Sequence, residues 1–280
     1  MHDFYLLYID ILGFADLVER APGRVDDLYQ IIESLNVRAH GAFATITFSD
    51  TVLIHNIWQP TTNDDHEYIV MYQCEFVQDL LHRLAGRNIY FRAVLTYGPF
   101  EHYRLNGTPY YYGPALNHAF REEKQLKITG LLMDDHCDKH NRFFSSLPFK
   151  KGWHYVFVTQ ALDEFEDLYG GIIPLPSFDM HATDLAWYLG PELEVLHSSL
   201  LIARGHGDEQ IRQKHEATLA QYRIRYPKCF DALEKKDFMM EEVCREFDWT
   251  QIRARMKDDY KWASAKRPPL PGSSRRSVTP

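Results

Sequence analysis

Two aspartates interrupt short apolar runs, Asp10 in YIDILGFADL and Asp50 in FSDTVLI. Asp10 sits near the end of a Tyr-, Leu- and Ile-rich stretch from Phe4 to Leu12 that stops at Gly13, which reads as a buried strand. Asp50 falls in the Ser49-Asp50-Thr51 turn of a hairpin predicted over Ala42 to Ile57. Sheet pairing would carry both carboxylates to one end of a sheet. Two such donors suit Mg2+ or Mn2+, which take a few protein carboxylates and fill the rest of their shell with water and substrate phosphates. A helix predicted from Pro114 to about Lys124 places Asn117 and Arg121 one turn apart, on one face. The forked, permanently charged guanidinium matches phosphoryl oxygens better than an ammonium would. Taken singly, each residue has a plain explanation: a turn aspartate, or a surface arginine paired with Glu122 or Glu123.

The elements that must position these residues follow from periodicity. Val25, Leu28, Ile31, Ile32 and Leu35 recur at helical steps. From about His66 to Leu84, the residues Tyr68, Tyr72, Phe76, Leu80 and Leu84 repeat every four positions, with Ile69, Val77 and Leu81 beside them, so this helix turns a broad apolar stripe to the core. Ile89 to Thr96 is strand-like, Asn106-Gly107 marks a tight turn, and Thr108 to Tyr112 continues the hairpin. Gly130 to Met133 and His154 to Val158 complete a strand and helix alternation. The prediction is an α+β core over residues 1–160, a mostly helical extension over 161–265 and a disordered tail over 266–280, ending in RPPLPGSSRRSVTP.

Composition bounds the partners. The 280 residues are 45% hydrophobic and 25% charged, as expected of a chain that folds around a core. A net charge of −8 argues against tracking a nucleic-acid polymer, which needs clustered Lys and Arg. A small anionic ligand gripped through metals fits that balance better. No apolar run reaches membrane-spanning length, and the N-terminus carries acids within its apolar stretch, unlike a signal peptide, so a cytoplasmic protein without a membrane partner is expected. The four cysteines form no CxxC pair and are expected to be reduced.

YIDILGFADL, FSDTVLI and YYGPALNHAFR, in this order and spacing, resemble the two metal-binding segments and the Asn-x-x-x-Arg helix of the class III nucleotidyl cyclases, over about the first 125 residues. The resemblance implies a ferredoxin-like βαββαβ core that dimerises head to tail with active sites shared between chains. It implies two Mn2+ or Mg2+ ions per site held by Asp10, Asp50 and the main-chain carbonyl of Ile11. Asn117 would orient the ribose and Arg121 the reacting phosphate, with phosphate contacts from Phe14 and from Lys151 or its neighbour Lys150. Ser49 replaces the family's usual glycine and Ala15 its usual threonine.

At the positions where purine cyclases read the base, this chain has Ile46 and Tyr110, and Phe48 narrows the same region. These side chains lack the purine pattern of donors and acceptors. In this respect the chain resembles the bacterial pyrimidine cyclases of anti-phage signalling. The resemblance implies conversion of UTP, or CTP, to a 3′,5′-cyclic monophosphate that acts through a cyclic-nucleotide-responsive effector. A purine cyclase and a catalytically silent nucleotide-binding dimer are the alternatives. His136 and His140, with Cys137 between them, share a helical turn, but without a visible further ligand they read as a solvated helix start after Asp134-Asp135.

Overall fold

Alternation along the first strand decides the layering. In a computed structural model, which describes residues 1–170, 172–177, 180 and 184–257, β1 (His2–Leu12) buries Phe4, Leu6 and Tyr8 on one face and Tyr5, Leu7, Ile9 and Ile11 on the other. A strand apolar on both sides has to lie inside a sheet covered on both faces. β1 accordingly runs antiparallel between β3 (Thr51–Asn56) and β4 (Tyr90–Leu105), and β3 pairs in turn with β2 (Phe43–Phe48).

Two helices, α1 (Phe14–Arg20) and α2 (Pro22–Ser34), connect β1 to β2, and α3 (Asn63–Leu84) connects β3 to β4. This is the expected βαββαβ core. β4 continues past Thr96 to Leu105 and forms a hairpin with β5 (Thr108–Tyr112) through Asn106-Gly107, both at positive φ. After α4 (Pro114–Gln125), β6 (Gly130–Asp134) pairs parallel to β4, and α5 (Asp135–Lys139), β7 (Ser145–Lys150) and β8 (Trp153–Phe157) follow. The sheet order is β2-β3-β1-β4-β6-β8-β7, with β5 attached to β4 alone.

One face is covered by α2 and α3 through Leu28, Ile31, Ile32, Ile69, Val70, Val77 and Leu80. A capping box starts α3: Thr62 Oγ1 accepts from the Asp65 amide at 3.2 Å, and Asp65 Oδ2 accepts from the Thr62 amide at 2.9 Å. The opposite face is covered by α4, α6 (Gln160–Tyr169), α7 (Leu185–Gly205) and α8 (Glu209–Arg225), followed by α9 (Phe230–Glu234), α10 (Met240–Val243) and a helical stretch over 250–257.

These C-terminal helices share a core with the sheet: Tyr155 and Phe157 of β8 pack against Tyr222 of α8 at ring distances of 6.2 and 5.3 Å. Two buried carboxylates tie the helices together. Glu192 accepts from the Ala161 and Leu162 amides that open α6, at 3.2 and 2.8 Å. Glu166 accepts from the Lys228 and Cys229 amides before α9, at 3.0 and 2.9 Å. Each acid satisfies helix-end donors that no local side chain caps. All four cysteines are buried and unbonded, and no described helix is long and apolar enough to cross a membrane. The expected disordered tail over 266–280 lies outside the described residues.

Candidate active site

Asp10 and Asp50 reach one place because the β2–β3 hairpin turns beside the end of β1. Asp10 pairs with Thr51 in the β1/β3 register, and the Ile11 amide donates to the Asp50 carbonyl at 2.9 Å. The turn requires Ser49 at φ 54°, the left-handed conformation that glycine adopts most readily, and the Tyr29 hydroxyl donates to its carbonyl at 3.1 Å. The Ser49 bend is thus braced by a tyrosine from α2.

The two carboxylates open into a cleft of about 520 Å³, within the range of small-ligand pockets. Tyr8, Ile46, Phe48, Leu53 and Tyr111 contribute to its wall from the strands, and Leu116, Phe120, Glu123 and Lys124 from α4. The Tyr8 hydroxyl lies 3.2 Å from Thr51 Oγ1. Burial pushes the Asp10 carboxyl up from its ordinary value, Arg92 opposes this, and Asp50 adds to it. Two acids in one partly dry cleft call for positive charge. Two carboxylates, one at a strand end and one at a turn, offer the oxygen donors that suit a hard divalent cation.

The fold is similar to solved nucleotidyl cyclase domains. They include the guanylate cyclase domain of RhGC from Catenaria anguillulae in complex with GTP, at 16% identity over 55% of this chain and 96% of that one, TM-score 0.44. The adenylyl cyclase CyaB from P. aeruginosa is 14% identical over 55% of this chain and 93% of its own, TM-score 0.42. A bacterial light-regulated adenylyl cyclase is 16% identical over 56% and 90%, TM-score 0.42. No protein-family model matches the sequence, and no curated protein matches it.

The remaining residues singled out from sequence divide into two groups. Ile46 and Phe48 line the cleft, Phe48 with 79% of its surface exposed. Asn117 and Arg121 are exposed on α4, with Arg121 Nε donating to the Asn117 carbonyl at 3.3 Å, and neither lines the cleft that holds Asp10. Tyr110 is 42% exposed on β5 and stacks on Tyr103 at 5.5 Å, also outside that cleft. Phe14 is buried at the start of α1, directly after Gly13 at φ 73°. Lys151 is exposed in the β7–β8 turn, while Lys150 pairs with Glu122 at 3.6 Å.

Sequence reasoning missed Arg92. It lies directly across from Asp10 in the β1/β4 register, with Nη2 3.6 Å from Asp10 Oδ2. The same guanidinium donates to the Leu126 carbonyl at 2.6 Å and pairs closely with Glu123. No short-range spacing links residues 10, 92 and 123; only the strand register brings them together. Lys214 of α8 was missed likewise: its ammonium is pushed down by burial and by Arg92, while Asp10 pulls it up.

His136 and His140 also differ from expectation. They are half-buried rather than solvated, because His136 stacks on Tyr97 of β4 and His140 on His66 of α3. Cys137 faces the core instead, where burial and Asp134 push its thiol well up.

Proposed function

We propose that this chain is a nucleotidyl cyclase that closes a ribonucleoside triphosphate into its 3′,5′-cyclic monophosphate. The observation that carries the reading is the meeting of Asp10 and Asp50 in one cleft, while Asn117 and Arg121 stand exposed one turn apart on α4. Divalent metals, Mn2+ or Mg2+, would be held by Asp10, Asp50 and the Ile11 carbonyl. Bound there, they supply acidification of the ribose 3′-hydroxyl and neutralisation of the triphosphate.

The reaction forms one bond from the 3′-oxygen to the α-phosphorus and breaks the bond from that phosphorus to the bridging oxygen of pyrophosphate; the hydroxyl proton passes to solvent. Asn117 orients the ribose, and Arg121 stabilises charge on the phosphoryl oxygens in transit. Phe14, at the turn into α1, and Lys151 contact the phosphates. A second copy of the chain supplies Asn117 and Arg121 to the cleft of the first.

The substrate we favour carries a pyrimidine, UTP before CTP. Ile46 and Phe48 make an apolar wall, and Tyr110 offers a ring and one hydroxyl, which supports a small base more than a purine reader. The resemblance of the motifs to pyrimidine cyclases supports a role in anti-phage signalling through a cyclic-nucleotide-responsive effector.

The test is to incubate the purified protein with each of the four ribonucleoside triphosphates and Mn2+ and to identify the products by mass. Cyclic UMP or cyclic CMP as the main product is expected. Cyclic AMP or cyclic GMP in excess overturns the base assignment, and no cyclic product from any of the four overturns the cyclase reading.

A further inference from the structure

His66, near the start of α3, His136 of α5 and His140, which caps the end of α5, bring one ring nitrogen each to within 4.8 Å of one another. They do so on the opposite sheet face from Asp10: the Tyr5 hydroxyl bonds His66 Nδ1 at 2.6 Å, and Tyr5 belongs to the core beneath α2 and α3. Tyr5 also precedes Asp10 by five residues, about 17 Å of strand. The cluster is therefore separate from the carboxylate cleft.

Three features distinguish it from ordinary packing. First, His136 Nε2 and His140 Nδ1 are buried and have no hydrogen-bond partner, a costly state that native interiors avoid. Second, aromatic neighbours gather the rings: His136 lies flat on Tyr97 at 4.3 Å and 7°, and His140 stacks on His66 at 4.6 Å and 18°. Third, His66 has an outer partner of the kind that metal-bound imidazoles use. In the tautomer whose Nδ1–H donates to the Tyr5 oxygen, Nε2 keeps a free lone pair for a metal.

The geometry points to a metal site formed by His66, His136 and His140 that takes a late first-row divalent cation, Zn2+ being the natural occupant. Three imidazoles with no carboxylate suit such ions better than Mg2+ or Mn2+, which favour oxygen donors. Nitrogens around a tetrahedral zinc stand about 3.3 Å apart, given Zn–N distances of about 2.05 Å. Side-chain rotations at His66 and His140, now stacked on each other, would converge the three nitrogens. The half-buried rings leave a fourth position for water, and the bound ion would clip the first turn of α3 to the turn after β6.

Zinc titration of the full-length protein against a chromophoric chelator, with Mg2+ in excess to occupy carboxylates, tests this. About one tightly bound Zn2+ per chain is expected, with Co2+ giving the intense visible spectrum of a four-coordinate site. His136→Ala and, separately, His66→Gln should weaken binding by about 100-fold or more while the metal-free proteins keep the wild-type circular dichroism. In a measurement that needs no variant, Zn2+ should protect the three histidines from diethyl pyrocarbonate, as mapped by mass spectrometry. The site does not exist if wild type binds Zn2+ no more tightly than the variants, if Co2+ gives only the weak octahedral spectrum, or if Zn2+ leaves the three histidines equally reactive.

Discussion

Replacing Arg92 by methionine tests the electrostatics behind the candidate site. Arg92 is 6% exposed and Glu123, its close partner, 4%. Removing one member of a buried pair strands the other, which typically costs about 3–5 kcal/mol. Neutralisation limits the penalty, since protonating a carboxyl of pKa about 4.3 at pH 7 costs about 3.7 kcal/mol. The hydrogen bond to the Leu126 carbonyl, 2.6 Å long, adds about 1 kcal/mol. A loss of about 3–5 kcal/mol is therefore expected for Arg92→Met. Asp10, more exposed and at 3.6 Å, should contribute little of it.

Glu123→Leu alone should cost less, because the guanidinium keeps Asp10 and the Leu126 carbonyl. The double variant Arg92→Met, Glu123→Leu buries no charge at this pair and should recover at least about 2 kcal/mol relative to the sum of the singles. Urea unfolding of all four proteins at pH 7 and matched salt measures each term. Should Arg92→Met cost under about 1 kcal/mol, or the two changes simply add, Arg92 and Glu123 do not form the buried pair described.

Asp50→Asn should fold like wild type and make no cyclic product at saturating Mn2+, since amides bind divalent ions poorly; near-normal turnover would remove Asp50 from the site. Mixing Asp10→Ala with Arg121→Ala protein should restore roughly a quarter of wild-type activity, because random exchange makes about half the dimers mixed, each with one intact site of two; no gain after confirmed exchange would exclude shared sites. His55 and His215 are pushed down to about 4 by burial. Their unfolded forms bind protons first, so stability present above about pH 6.5 falls toward pH 4 and levels below it, by up to about 3 kcal/mol for each ring. Urea midpoints from pH 7 to 4.5 should show this fall, and an equally steep fall in His215→Gln would exclude that residue as a source.

Strong periodicity made much of the fold legible. β1, the β2–β3 hairpin and α3 appear where apolar spacing and turn residues place them, because each buries a continuous face. α1 has seven residues, too few for a repeating pattern, and β7 carries Pro148 beside a bulge at the sheet edge, where strand signals are weakest. Asp10 and Asp50 were legible as a strand-end and a turn aspartate, and the motif resemblance set them apart from ordinary turn residues. Arg92 and His66 were not, since their roles depend on register and packing across 82 and 70 residues of chain, to Asp10 and His136 respectively.

The placement of α4 bears on the proposed second chain. Leu116, Phe120, Glu123 and Lys124 of α4 line the cleft of their own chain, whereas Asn117 and Arg121 are exposed on the same helix and line no part of it. In the proposed reaction Asn117 and Arg121 reach a nucleotide gripped by Asp10 and Asp50 from another copy. The surface they share is suited to that encounter: Phe48, Tyr103, Leu105, Tyr110, Tyr112 and Phe120 are all exposed around the β2–β3 turn, the β4–β5 hairpin and α4. In the proposed two-fold arrangement, burying these side chains would go together with bringing Tyr110 toward Ile46 and Phe48, and Arg121 toward Asp10. Base recognition and phosphate chemistry would then depend on the same contact, so a substitution such as Tyr112→Asp that prevents association should abolish turnover while every residue of the carboxylate cleft remains in place.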